Sequence, residues 1–278
     1  MTTPESYRIF DRALLRQRLA RLARQFGRHD FLHHETAARL LERRGDVQRD
    51  FSRILDLGCH DGVLTCLLRA QGSRVVAADL SADFLAAIPP PVAAADEECL
   101  PFAPYSFDLI VSNLNFHAVN DLPGVLLQCR YILAPGGLLL AAMLGGSSLW
   151  QLRQCLVEAE QRVTGGVSPR VAPLVDLRSA AGLLQRAGYV LPVADREIIT
   201  MIYPDALALM HDLRGMGFGN ILYSRQRHAA RRAIFVAAAA LYVEKFPASG
   251  GGITADFEII YLHGWTPPDS QACYSTST

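Results

Sequence analysis

The sequence predicts an α/β fold, a parallel sheet with helices on both faces. Three observations carry this. Apolar strand-like runs alternate with helical stretches between residues 53 and 144, the pattern of successive β-α units. The first run, Ile54-Leu55-Asp56-Leu57, leads straight into Gly58-Cys59-His60-Asp61-Gly62, a glycine turn that opens a helix and aims free N–H groups outward. The second, Val75-Val76-Ala77-Ala78, ends on Asp79, where a carboxylate can hold a ribose diol. Together they point to a nucleoside-containing cofactor.

Residues 11–47 carry helical periodicity through Leu14, Leu15, Leu19, Leu22 and Phe26, then Phe31, Ala37, Leu40 and Leu41. A strand at 53–57 is followed by a helix at 62–71 that Gly72 can end, and by a strand at 74–79. Ser81 caps a helix at 82–88, which stops at Pro89-Pro90-Pro91. Residues 92–95 are short and extended, 107–113 form an apolar strand and 122–133 a helix. Ala134-Pro135-Gly136-Gly137 reads as a turn before a fifth strand at 138–144. After Gly145-Gly146 the rhythm changes. Residues 149–163 and 177–187 read as helices, the second closed by Gly188. An extended run at 189–203, helices at 205–214 and 235–246, and a last strand at 257–265 complete the chain. The predicted division is a helical segment (1–48), a cofactor-binding core (49–145), cap helices with the last two strands (146–268) and a disordered polar tail (269–278).

The 278 residues suffice for a large core, and 27 basic side chains balance 27 acidic ones. That balance gives no electrostatic case for nucleic acid. No apolar run reaches the roughly 18 residues of a membrane span. Residues 8–28 are arginine-rich, but Glu5 and Asp11 accompany them, which favours an N-terminal helix over an acid-poor transit peptide. Six scattered cysteines without a C-x-x-C pair argue against a zinc ribbon or disulfide framework and suit a reducing compartment.

Two templates compete for the glycine loop. The dinucleotide pattern G-x-G-x-x-G fails at both His60 and Val63. The G-x-G-x-G loop of adenosylmethionine enzymes fails only at His60, which favours S-adenosyl-L-methionine over NAD. No G-x-x-x-x-G-K-[ST] phosphate loop is present. The residues expected to line the cofactor site are Asp56, Gly58, Cys59, His60, Gly62, Asp79, Leu80, Asp96, Glu97 and Asn113. Asp79 is read as the ribose acceptor rather than a strand cap, and Cys59 as a packed thiol rather than a reactive one. Asp96 follows the short extended piece and can accept from an adenine amino group, with Glu97 and Glu98 as neighbouring alternatives.

Leu55-Asp56-Leu57-Gly58-Cys59, Ala95-Asp96-Glu97-Glu98-Cys99-Leu100-Pro101-Phe102 and Ser106-Phe107-Asp108-Leu109 resemble class I adenosylmethionine-dependent methyltransferases of the type 11 group. Further segments are similar to the respiratory complex I assembly factor, or arginine-hydroxylase, family. They are Ile9-Phe10-Asp11-Arg12, His117-Ala118-Val119-Asn120-Asp121-Leu122-Pro123, Met143-Leu144-Gly145-Gly146, Ser168-Pro169-Arg170, Asp212-Leu213-Arg214-Gly215-Met216-Gly217 and Ile260-Tyr261-Leu262-His263-Gly264-Trp265. Malonyl-carrier-protein O-methyltransferases are similar mainly over the core. The resemblance implies a Rossmann-like seven-stranded sheet of order 3-2-1-4-5-7-6, the last strand antiparallel, with a helical cap from residues 149–187 and 205–246. It also implies S-adenosyl-L-methionine as cofactor, S-adenosyl-L-homocysteine as product and a complex I subunit as partner. The Phe-Asp-Arg segment begins within ten residues of the start, which suits a bacterial cytoplasmic relative; a eukaryotic one would sit in the mitochondrial matrix. Two positions depart from the pattern: His60 replaces a glycine, and Ala118 stands where a Trp is expected.

Methyl transfer relies on in-line orientation more than on acid–base groups. His117 is the candidate general base or, alternatively, a structural histidine; Asn113 is the candidate positioning group. Hydroxylation would need a redox centre, commonly a two-histidine, one-carboxylate facial site, and no metal site is expected. The pairs His33-His34 and His211-Asp212 do not face one direction on a helix. Arg170 and Arg214 either clamp an acidic substrate or are solvated, and Gly215 and Gly217 are candidate lid hinges. Methyl transfer to a protein or small-molecule acceptor is the first expectation. Protein-arginine hydroxylation and a non-catalytic assembly chaperone are the alternatives.

Overall fold

The computed structural model describes residues 8–226 and 231–268; the predicted tail at 269–278 lies outside them. Seven strands form one sheet: β1 (Arg53–Leu57), β2 (Arg74–Asp79), β3 (Val92–Ala94), β4 (Phe107–Asn113), β5 (Leu133–Leu144), β6 (Val190–Tyr203) and β7 (Ile253–Trp265). Their order is β3-β2-β1-β4-β5-β7-β6. β1 to β5 run parallel, and β7 is antiparallel to both its neighbours. The expected order and the direction of the last strand are both observed.

Alternation along the strands explains why both faces need cover. Leu138, Leu140, Ala142 and Leu144 of β5 join one core, while Leu139, Ala141 and Met143 join the other. The first core is closed by α2 (Phe31–Gly45), α3 (Val63–Ala70), α6 (Trp150–Thr164), α8 (Ala206–Gly215) and α9 (Arg232–Lys245). The second is closed by α5 (Leu122–Ile132) and α7 (Leu177–Arg186). Thus α7, expected in the cap, packs beside α5 on the sheet through Ala180, Leu183 and Leu184. A third, smaller core joins α1 (Arg12–Leu22), α4 (Ala82–Leu85) and the chain near Ile221. It fastens the N-terminal segment over the carboxyl ends of β1 and β2.

Some boundaries move for physical reasons. The turn expected at 134–137 is a bulge inside β5: Phe107 pairs with Leu133 and Leu109 with Leu138, so the residues between have no partners in register. The last strand starts at Ile253 rather than 257, because pairing with β6 runs on to Tyr203. The helix after Ser81 stops at Leu85, ahead of the prolines.

Candidate active site

The loop after β1 keeps the course of a glycine-rich turn despite its histidine. Gly58, His60 and Gly62 all have positive φ, at 73°, 49° and 82°. The amides of Gly58 and Cys59 both donate to the Ala78 carbonyl (2.8 and 3.0 Å), which folds the loop against β2. A left-handed conformation costs a non-glycine residue about 1–2 kcal/mol. His60 is held there by its own amide, which donates to Asp79 Oδ2 at 3.0 Å. Its ring stacks on Phe26 (5.6 Å) and meets His33 and Phe84 edge-on. The β-carbon therefore displaces nothing in the loop; the imidazole fills space beneath the N-terminal turn.

The glycines answer to neighbouring side chains. A β-carbon on Gly58 would lie 2.1 Å from Asn115 Nδ2, and one on Gly62 would lie 2.8 Å from Ile88 Cδ1. Cys59 is buried, and burial pushes its thiol well above the ordinary range, as expected of a packed cysteine.

Asp79 is buried at the end of β2, with Oδ2 accepting from His60 and Oδ1 from the Ser81 amide at 2.7 Å. Burial raises its carboxyl, and the nearby His60 and these amide bonds oppose the rise. Each carboxylate oxygen retains a lone pair beyond the one its amide uses. Ser81 Oγ and both ring nitrogens of His60 are buried without a hydrogen-bond partner among the described residues, with His60 Nδ1 4.0 Å from Asp79 Oδ2. Buried polar atoms seldom remain unpaired, so this corner fits the hydroxyl-rich nucleoside of S-adenosyl-L-methionine. Leu80 packs into the N-terminal core beside Phe84. Asp56 sits elsewhere. It is fully buried between β1 and α3, accepts from Thr65 Oγ1 at 2.6 Å, and burial pushes it up to about 7. Oδ2 braces the strand–helix joint, while Oδ1 is buried without a hydrogen-bond partner among the described residues.

Asp96, Glu97 and Glu98 converge on Arg12, a residue that the sequence reading did not single out as functional. Arg12 Nη2 donates to Asp96 Oδ1 at 2.7 Å and to Glu97, its Nε lies 3.9 Å from Glu98, and Nη1 donates to the Ala118 carbonyl. Burial pulls the guanidinium down, and Glu97 and Asp96 more than reverse this, so its net shift is upward. Asn115, also missed, donates from Nδ2 to Glu97 Oε1 at 2.8 Å. The available signal was three successive carboxylates with no base nearby in sequence, which buried must find a cation in the fold.

Asn113 ends β4 as expected, but its amide is spent on α2. It accepts from Thr36 Oγ1 (2.7 Å) and donates to the His33 carbonyl (2.8 Å). It anchors a helix instead of facing an acceptor. His117 lies in a short 3-10 turn, Phe116–Ala118, with Nδ1 unpartnered and its ring edge-on to Phe218 at 5.2 Å. Burial, aided by His60, lowers it to about 3, so the imidazole is neutral at physiological pH and a weak base. It faces a cavity of about 230 Å³ whose apolar walls include Leu144, Leu149, Met210 and Phe218. Ala118 lies on that wall, where the expected Trp would have narrowed it.

Other expectations resolve differently. Arg170 is paired with Glu160 through two hydrogen bonds. Gly215 is pressed against His29, whose ring would lie 2.2 Å from an added β-carbon, so it serves close packing; Gly217, at φ 88°, makes the turn after α8. Among the described residues, Asp30, His34 and Asp61 bring three possible metal-ligand atoms within 4.8 Å of one another, a group no sequence motif announced. No helix among them is long and apolar enough to cross a membrane.

Comparison with known proteins agrees with this geometry. A methyltransferase domain family matches residues 55–141. The human mitochondrial arginine-hydroxylase NDUFAF5 is 38% identical over 279 aligned positions, covering 98% of this chain and 81% of that protein. A malonyl-[acyl-carrier protein] O-methyltransferase of Xylella fastidiosa is 31% identical over 93% of this chain and 89% of its own. In fold, phosphoethanolamine N-methyltransferase 2 of Haemonchus contortus, bound to S-adenosylhomocysteine, is similar with a TM-score of 0.54. It is 16% identical and covers 91% of this chain and 60% of that one. The chain is thus a member of the arginine-hydroxylase NDUFAF5 family, an enzyme built on the class I adenosylmethionine-dependent methyltransferase fold.

Proposed function

We propose that this protein binds S-adenosyl-L-methionine at the carboxyl edge of β1 and β2 and transfers its methyl group to an acceptor in the cavity beside His117. The observation that carries the reading is the pairing of Asp79 with unpartnered buried polar atoms, Ser81 Oγ and the His60 nitrogens, on one edge of the sheet. Asp79 would hold the ribose and Asp96 the adenine side, with Arg12 setting the position of Asp96. Gly58 and Gly62 shape the loop that brings His60 against Asp79. The cofactor supplies an electrophilic methyl; the chain's part is orientation and exclusion of water from an apolar cavity. A neutral His117 accepts a hydrogen bond from the acceptor but is too weak a base to deprotonate it outright.

Protein-arginine hydroxylation is the second reading, favoured by the name of relatives that align over 98% of this chain. It requires a redox centre, and the imidazole and two carboxylates of Asp30, His34 and Asp61 are donors of a type that holds such metals. On either reading a complex I subunit is the acceptor that the family resemblance suggests, in the mitochondrial matrix or the bacterial cytoplasm. Mass spectrometry of that subunit from cells with and without the protein separates the two. Loss of about 14 Da on one residue supports methylation and loss of about 16 Da hydroxylation. An unchanged subunit mass would exclude it as the acceptor.

A further inference from the structure

The cavity beside His117 is continuous with a second groove of about 400 Å³, the two sharing Arg214, Gly217, Gly219 and Asn220. Arg18 and Arg21, three apart on one face of α1, line that groove opposite Arg214 of α8. Among the described residues, every charged side chain on the walls of cavity and groove is an arginine. Nearby cations are neutralised: Glu160 pairs with Arg170, and Asp11 with Arg225 at 3.0 Å. Arg18 donates only to the Asn220 carbonyl, at 2.9 Å. Among the described residues, no salt bridge joins a carboxylate to Arg18, Arg21 or Arg214.

Three guanidinium groups at one mouth, none in a salt bridge among the described residues, stand out in a chain of 27 basic and 27 acidic residues. They repel one another, and an anion between them relieves the repulsion. Burial, then Arg225, Arg214 and Arg21, lower Arg18, and Asp11 opposes them without reversing the shift. The inner cavity offers the opposite chemistry, with apolar walls suited to an aliphatic or aromatic arm.

We infer that the groove of Arg18, Arg21 and Arg214 binds a carboxylate of the acceptor, whose apolar arm lies in the cavity beside His117. The inference rests on the reading of that cavity as the acceptor site. Planar guanidinium groups match a carboxylate by paired hydrogen bonds. The carboxylate comes either from an acidic side chain flanking the modified residue of a protein or from a free acyl acid.

Calorimetry on the full chain tests this with octanoate and octanol as probes. Octanoate should bind about 10-fold more tightly than octanol at low salt, with the advantage shrinking as salt rises. The triple variant Arg18→Gln, Arg21→Gln, Arg214→Gln should lose that advantage while octanol binding stays the same. The triple Lys variant should regain part of it, which excludes a folding defect as the cause. A peptide with glutamates flanking leucine, compared with its lysine counterpart, tells the two sources apart. Equal affinity for octanoate and octanol, or octanoate binding untouched by the triple Gln variant, would overturn the inference. Adenosylmethionine titrated into the same samples reads the cofactor site separately, so failure there is recognised as failure of the underlying reading.

Discussion

Single residues decide whether the loop after β1 works, and two of them act through their neighbours. Gly58 has φ 73° and carries the Asn115 side chain against it. Replacement by alanine combines backbone strain with a 2.1 Å clash, so Gly58→Ala should destabilise the protein by about 2–3 kcal/mol in urea denaturation. In a double-mutant cycle with Asn115→Gly, which removes every clashing atom, Gly58→Ala should cost less than in the wild type; an equal cost would show that the backbone conformation alone sets it. The motif Gly58, Gly62, Asp79 and Asp96 was legible because each residue type is tied to a local backbone or chemical need. Asn113 stands at the carboxyl end of β4, a site position, but its bond to Thr36, 77 residues away, leaves no mark in the local sequence. Asp56 bonds Thr65 through one oxygen and keeps the other buried without a hydrogen-bond partner among the described residues. Strand alternation points it into the sheet–helix joint, and motif matching ignores which face a side chain takes.

At the scale of elements, the N-terminal helix is tied to the candidate site. Arg12 brings the start of α1 onto Asp96 and Glu97, and the Asp11 amide donates to the Ile221 carbonyl. Removing the cation leaves Glu97 buried without its guanidinium, a change that costs about 3 kcal/mol or more in buried pairs. Arg12→Ala should therefore lower the urea midpoint sharply, and Arg12→Lys should restore part of the loss. A midpoint unchanged by Arg12→Ala would mean that water already compensates these carboxylates. The strands and most helices were legible from periodicity. The exchange of α7 from cap to sheet layer was not, because an amphipathic helix does not disclose which apolar surface it covers.

For the whole molecule, the pH response follows from opposed buried groups. Burial lowers His117 to about 3 and His33 well below its ordinary 6.5. As pH falls below about 6.5, the unfolded chain takes up protons that these folded imidazoles refuse, so stability is lost. Asp56, pushed up to about 7, works the other way, because its folded carboxyl takes a proton that the unfolded chain refuses until about pH 4. Comparing wild type with His117→Phe cancels the Asp56 contribution. Between pH 6.5 and 5 the variant should lose up to about 2 kcal/mol less stability than wild type. Parallel curves would mean that His117 takes up its proton as readily in the folded chain as in the unfolded one. The sheet order was legible only through family resemblance, since long-range pairing leaves no local mark; β6 and β7 join across some 60 residues.

Calorimetric titration of the full chain with S-adenosyl-L-methionine tests the central claim most directly. A charged acceptor such as Asp79 is worth about 1.5–3 kcal/mol per hydrogen bond. Wild type should bind in the micromolar range, near −8 kcal/mol, and Asp79→Asn should bind about 10- to 100-fold more weakly. Absence of binding to wild type at about 1 mM cofactor, about −4 kcal/mol, would contradict the account and leave a methyltransferase fold that does not use the cofactor.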